Sequence, residues 1–213
     1  ENGKKVTSSL AFSISLNTKG DLVMLLINRE SEHFSTVCTD NDEVGLMAAT
    51  KIRQKGYTEA AIFASRHSYF ATSQRVQAFI SSCERLGIET DEKYILKGSS
   101  TRNGGYEIGK QYAALKEPPK MIFCDSDAIA LGALRAFHEE GISVPGDAEL
   151  LSIGMLDPEA ASYYVPSLSV VEMPNKEIGQ QVLRLMRKKV LNNDISSEHV
   201  KVHAKLMLRE SFS

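Results

Sequence analysis

Residues 121–134 read MIFCDSDAIALGAL, and the fold turns on how that run divides. Met121 to Cys124 have strand character, Asp125-Ser126-Asp127 follow, and a helix of small apolar residues begins directly after them. A short, wholly apolar strand that feeds a helix is the unit from which parallel sheets are built. The two acids leave two chemistries open. A D-x-D pair past a buried strand suits a nucleophile and a general acid beside Mg²⁺. Equally, Ser126 or Asp127 caps the helix beside a ligand pocket, which stabilises it by about 1 kcal/mol and needs no further role.

The same alternation extends in both directions. LVMLLI (22–27), 36–39, AAIFA (60–64), 94–96, 150–153 and 168–171 read as strands, and 200–208 as extended chain. Between them lie helices from Asp40-x-x-Glu43 to Gly56, from near Ala71 to Gly87, over 104–115, over 126–140 and over about 175–191. The second helix places Val76, Phe79, Ile80, Cys83 and Leu86 on one stripe, and a glycine stops it. Strands alternating with helices of ten or so residues give βαβ units and an α/β fold of parallel sheets flanked by helices. The first 20 residues, rich in Ser, Thr and Asn, assign to no element.

Composition narrows the function classes. The chain has 213 residues, 42% hydrophobic and 24% charged, with a formal net charge of −2. That balance argues against a nucleic-acid surface, which needs clustered Lys and Arg. The one dense basic run, RLMRKK at 184–189, reads as a solvated helix face. Cys38, Cys83 and Cys124 show no disulfide frame or metal spacing, which fits a reducing cytoplasm. No run approaches the roughly 18 apolar residues of a membrane span, and the N-terminal ENGKKVTSS does not read as a signal peptide.

Enzymatic motifs find little support. D-x-D is the opening of haloacid-dehalogenase-like phosphotransferases, but those also need a phosphate-neutralising Lys and a second acidic pair. Past residue 125 the sequence offers only GMLD (154–157) at a strand end. GxGxxG, GxxxxGK[ST] and G-x-S-x-G are lacking, and His33, His67, His138, His199 and His203 lack ligand spacing, so no cofactor or metal is expected. Arg75 stands apart. It lies in the first turns of a helix just past a strand end, where doubly wound sheets bind ligands. A guanidinium there suits capture of hydroxyls or a carboxylate, although spacing alone sets it one place off the buried face, as a solvated surface Arg would be.

Longer stretches of wording converge on one family. PPKMIFCDSDAIALGALRAFHEEGISVPGDAELLSIGMLDPEAASYYVPSLSVVEMPNKEIGQQ (118–181), LVMLLINRE (22–30), VCTDNDEVGLMAATKIRQKGYTEAAIFA (37–64), SQRVQAF (73–79), NGGYEIG (103–109) and LRES (208–211) closely resemble the effector-binding core of lac-repressor/galactose-repressor family transcription regulators. The resemblance covers about residues 22–213. It implies a two-lobe periplasmic-binding-protein-like fold with an effector in the cleft between lobes. Residues 1–54 with 175–202 would form the N-terminal lobe, and 55–172 with 203–213 the C-terminal lobe. The family's DNA-binding headpiece and the first units of its N-terminal lobe have no counterpart here, so that lobe is expected to be incomplete.

Carried over by position, the resemblance puts effector contacts at Arg75, Asp42, Ala71, Ser100, Ser126, Leu156 and Met173, with Asp127 as the helix cap at the cleft. Four of these depart from the family. Ser126 stands where the family has Asn, Leu156 replaces the first Asp of its GFDD, and Met173 replaces the Gln of its TTV-Q. Ser100 falls where an aromatic platform is usual. Unpaired ligand hydroxyls cost roughly 1–3 kcal/mol each, so an effector less polar than a hexose or differently shaped, or a weakened site, is expected. Leu131, Leu134, Tyr163 and Tyr164 are expected on a homodimer surface. The function implied is the ligand-sensing core of a cytoplasmic, non-enzymatic repressor that reaches operator DNA through the headpiece. The rivals are a solute-binding protein of the same fold and a D-x-D phosphatase.

Overall fold

Short apolar runs become strands and amphipathic runs become helices throughout the computed structural model, which describes residues 12–16, 19–67, 70–154, 159–194 and 196–213. In chain order come β1 (Phe12–Leu16), β2 (Leu22–Ile27), β3 (Ser35–Thr39), α1 (Asn41–Gln54), β4 (Ala61–Ser65), α2 (Phe70–Leu86), β5 (Ile95–Gly98) and α3 (Arg102–Ala113). Then follow β6 (Met121–Cys124), α4 (Asp127–Glu140), β7 (Glu149–Gly154), β8 (Ser169–Glu172), α5 (Asn175–Asn192), β9 (His199–Val202) and β10 (Lys205–Met207). These spans match the strands and helices expected from periodicity, with one addition. Strand β1 lies within the first 20 residues and pairs antiparallel with β2, Leu16 opposite Leu22.

The elements divide into two units. The first holds the chain up to Asp40, a short stretch ending at Ala71, and Pro174–His203. Its sheet has the order β1-β2-β3-β9, parallel except for β1. Leu25 and Val37 from the sheet and Ile178 and Leu185 from α5 form its core.

The second unit takes Asn41–Ser68, Thr72–Met173 and Ala204–Ser213. Its six strands run in the order β10-β8-β7-β6-β4-β5, all parallel except β10. Two apolar clusters cover the sheet. In one, α1 contributes Val44, Ala48, Ala49 and Ile52 to a core with Phe79, Phe123 and Phe212. Phe79 stacks on Phe123 with centroids 3.9 Å apart and planes within 10°, which pins α2 to β6. The other cluster gathers Phe63, Tyr112, Ile129, Ala133 and Phe137.

The unit boundary differs from the expected one. The sequence places the divide after residue 54, whereas the structure places it after Asp40, and α1 belongs to the second unit. The reason is packing: the apolar face of α1 meets α2 and β6, and a Cβ at Gly45 would fall 2.4 Å from the backbone carbon of Ala78.

Helices α3 and α4 also touch backbone to backbone. A Cβ on Gly132 would lie 1.9 Å from the carbonyl oxygen of Arg102, and one on Gly105 would lie 2.1 Å from that of Ile129. Gly179 in α5 has open space around it. Gly132→Ala is therefore expected to cost at least about 1–3 kcal/mol by overpacking. Gly179→Ala is expected to add up to about 1 kcal/mol through helix propensity. Urea unfolding midpoints read both, and a neutral Gly132→Ala would contradict the close α3–α4 approach.

Candidate functional site

Sheet order locates the site in the second unit. From β4 the chain goes to β5 on one side and then to β6 on the other. The carboxyl ends of β4 and β6 therefore flank a topological switch point, the place where open α/β sheets leave a crevice. Ser65 closes β4 and Asp125 follows β6. The Asp125 N–H donates to the Phe63 carbonyl at 2.9 Å, and the Ser65 N–H donates to Asp125 Oδ2 at 2.6 Å. The carboxylate thus ties the two strand ends together. It is 1% exposed, and its Oδ1 has no hydrogen-bond partner among the described residues.

Arg75 faces this carboxylate from α2. Its side chain is on the buried stripe and only 3% exposed, not one place off it. The helical spacing explains the correction: Thr72, Arg75, Phe79, Ser82 and Cys83 recur at three or four residues and are the buried positions of α2. Nη2 of Arg75 donates to Thr72 Oγ1 at 3.1 Å, and Nη1 to Asn41 Oδ1 at 3.4 Å. Burial lowers the Arg75 pKa to about 10, with the negative charge of Asp125 pulling the other way. The guanidinium is still charged at neutral pH.

Burial pushes the Asp125 carboxyl above its ordinary range, while the Ser65 N–H and the Arg75 charge pull it back. Two charged groups have thus been brought out of water at a strand-end crevice. Such an arrangement is costly for stability alone and is found where ligands are gripped.

The remaining candidate residues are placed as follows. Ser126, not Asp127, is the cap of α4: its backbone is extended (φ −157°, ψ 152°) and its Oγ accepts from the Ile129 N–H at 3.4 Å. Asp127 is already helical and buried, so it cannot take the cap position. Asp42 is exposed in the first turn of α1, and its neighbour Asn41 is the residue that reaches Arg75. Ala71 is half-buried at the start of α2, and Ser100 is exposed ahead of α3. Met173 is buried in the core cluster with Phe79. Leu156 lies outside the described residues. Of the dimer candidates, Tyr163 is 77% exposed, while Leu131, Leu134 and Tyr164 are half-buried, the last two packed against the second core cluster.

Two residues of this cluster, Asn41 and Thr72, were not singled out from sequence, and Asp125 was weighed there as a catalytic acid of the D-x-D pair rather than as part of a ligand site. Thr72 had a signal, since it precedes Arg75 by three residues on one helix face. Among the described residues no group of His, Cys, Asp and Glu is arranged to hold a metal ion, and no helix is long and apolar enough to cross a membrane.

The raised pKa of Asp125 has a testable sign. Between the unfolded value of about 3.9 and the higher folded one, the folded state keeps a proton that the unfolded state has released. Stability contributed by this group is therefore full below that window and falls as pH rises through it. A carboxamide at this position lacks the titration but can still accept from the Ser65 N–H. Asp125→Asn is expected to compare better with the parent at pH 7 than at pH 4 in urea unfolding; the opposite trend would mean that the carboxylate is stabilised, not strained, by its surroundings.

Known proteins share this arrangement of elements. The periplasmic binding protein-like domain family matches residues 34–212. The HTH-type transcriptional repressor PurR of Mannheimia succiniciproducens is 27% identical over 169 residues, covering 79% of this chain and 50% of that protein. The HTH-type transcriptional repressor CytR of Escherichia coli (strain K12) is 26% identical over 207 residues, covering 96% and 60%. The chain thus spans about half to three fifths of the length of these relatives. A LacI family transcription regulator from Clostridium acetobutylicum superposes with a TM-score of 0.83 at 30% identity, over 90% of this chain and 72% of that one. With its parallel sheets, its switch-point arginine and these matches, the chain belongs to the periplasmic binding protein-like domain family, within the LacI-family regulators.

Proposed function

We propose that this chain is the ligand-sensing core of a cytoplasmic transcriptional repressor, and that Arg75 grips its small-molecule effector at the carboxyl ends of β4 and β6. The observation that carries this reading is the buried Arg75 guanidinium beside Asp125, at the switch point of the second unit's sheet. A charge buried on the apolar stripe of α2 weakens the fold unless it has a use. Its donors suit a ligand acceptor, and the unpartnered Asp125 Oδ1 behind it keeps the site electrostatically poised.

The repressor role is supported by relatives that are HTH-type repressors. Operator DNA would be reached through a headpiece and through pairing of two copies, with α4 and the Tyr163–Tyr164 segment offered as the dimer surface. The effector would act by binding one arrangement of the domain more tightly than another, which shifts the population that binds operator. Ser126 Oγ accepts the helix-cap bond from the Ile129 N–H and Met173 lies in the core, so few side-chain acceptors remain for a fully hydroxylated sugar. A ligand less polar than a hexose fits better.

The non-enzymatic reading is supported by the state of the D-x-D pair. Asp125 is enclosed and hydrogen-bonded to the Ser65 N–H, a poor situation for a phosphoryl nucleophile, and Asp127 is buried within the first turn of α4.

A thermal-shift screen of sugars, sugar phosphates and purines tests the proposal. At least one class should raise the unfolding temperature, and Arg75→Ala should abolish that rise. Removing the guanidinium alone leaves a buried carboxylate uncompensated at about 3–5 kcal/mol, so Arg75→Met with Asp125→Asn serves as the stability control. An unchanged ligand shift in both variants would sink the Arg75 assignment.

A further inference from the structure

We propose that Asn41 is the positioning residue that holds Arg75 ready for the effector, through a hydrogen-bond relay Gln74–Asn41–Arg75; the proposal rests on the reading of Arg75 as the effector-gripping residue. Asn41 is the first residue of α1, and its Oδ1 accepts from Arg75 Nη1 at 3.4 Å. Its Nδ2 donates to Gln74 Oε1 at 2.9 Å. The chemistry of the partners fixes these orientations. A guanidinium has only donors, so Asn41 must turn its oxygen toward Arg75. Its amide nitrogen then has to face Gln74, which must present its own oxygen.

The relay uses neighbours in α2 to aim one side chain. Gln74 precedes Arg75, lies half-buried, and reaches α1 rather than the sheet. Thr72 holds the other terminal nitrogen at 3.1 Å. Both Nη groups are therefore oriented by side-chain oxygens, and the guanidinium plane is set before a ligand arrives. Pre-setting a long cationic side chain removes rotamer freedom that binding would otherwise have to take away. The carboxamide that does this is itself anchored. Asn41 opens a helix whose Val44, Ala48 and Ile52 are locked in the core of the second unit, so its Cα cannot move away from α2.

Nitrogen NMR of the arginine side chains tests this without any ligand. Resonances of Arg75, assigned by their loss in Arg75→Lys, should show separate, slowly exchanging Nη signals in the parent. Asn41→Ala should speed guanidinium rotation by roughly tenfold, the scale of one lost hydrogen bond to a charged group. Asn41→Asp, which keeps the acceptor, should preserve the slow signals, and Gln74→Ala should give intermediate rotation in a chain whose α1 terminus is intact. Arg75 signals unchanged in Asn41→Ala, or Asn41→Asp behaving like Asn41→Ala, would overturn the assignment. Failure of Arg75 as the effector grip would show separately, as a ligand-induced thermal shift that survives Arg75→Ala while the NMR outcome stands.

Discussion

The carboxylate of Asp125 sits in an interior that leaves only 1% of the residue exposed, and the Ser65 backbone N–H at 2.6 Å holds it there. That bond joins the ends of two adjacent parallel strands at the point where the sheet changes direction. Burial raises the free energy of the charge, and Arg75 supplies the opposing charge that makes it tolerable. The stacked Phe79 and Phe123 rings fix the distance between α2 and β6, so Arg75, one turn before Phe79, cannot drift from the strand ends. Packing decides where the arginine is. Hydrogen bonds to Thr72 and Asn41 decide how it is turned.

Much of this was legible in the sequence, and what was missed follows one rule. LVMLLI, AIFA and MIFC became β2, β4 and β6 because a wholly apolar run has few alternatives in an α/β chain. The alternation of Phe12, Ile14 and Leu16 with Ser13 and Ser15 did spell β1, but the surrounding polar residues hid its period. Helix α1 was recognised from its capping box and closing glycine, and such end signals do not say which of two cores its apolar face will cover. Arg75 read as one place off the buried stripe because the stripe was drawn through its neighbour Val76, whereas the buried positions of α2 run through Thr72, Arg75 and Phe79. Asp125 was weighed only as one acid of a D-x-D pair, because its partner, Ser65, is 60 residues away. Contacts that distant leave no local period.

The family resemblance added what periodicity could not: the expectation that a switch-point arginine contacts the effector. The structure in turn refined what the resemblance implied at single positions. Where Asn was the family residue, Ser126 now caps α4, and its hydroxyl accepts from the Ile129 N–H. Asp42 was the candidate effector contact in this segment, and its neighbour Asn41 is the residue that bonds Arg75. On our proposal the site relies less on hydroxyl-rich recognition than on one strong cation, Arg75, with Thr72 and Asn41 as acceptors behind it. Such a site is selective through charge and shape more than through the number of hydrogen bonds.

The most direct test is a crystal structure of the protein bound to the compound that stabilises it most. A ligand acceptor should lie about 3 Å from the Arg75 guanidinium, with Asp125 still joined to the Ser65 N–H behind it. A ligand seated elsewhere, with Arg75 still held by Asn41 and Thr72 as it is without ligand, would contradict the account.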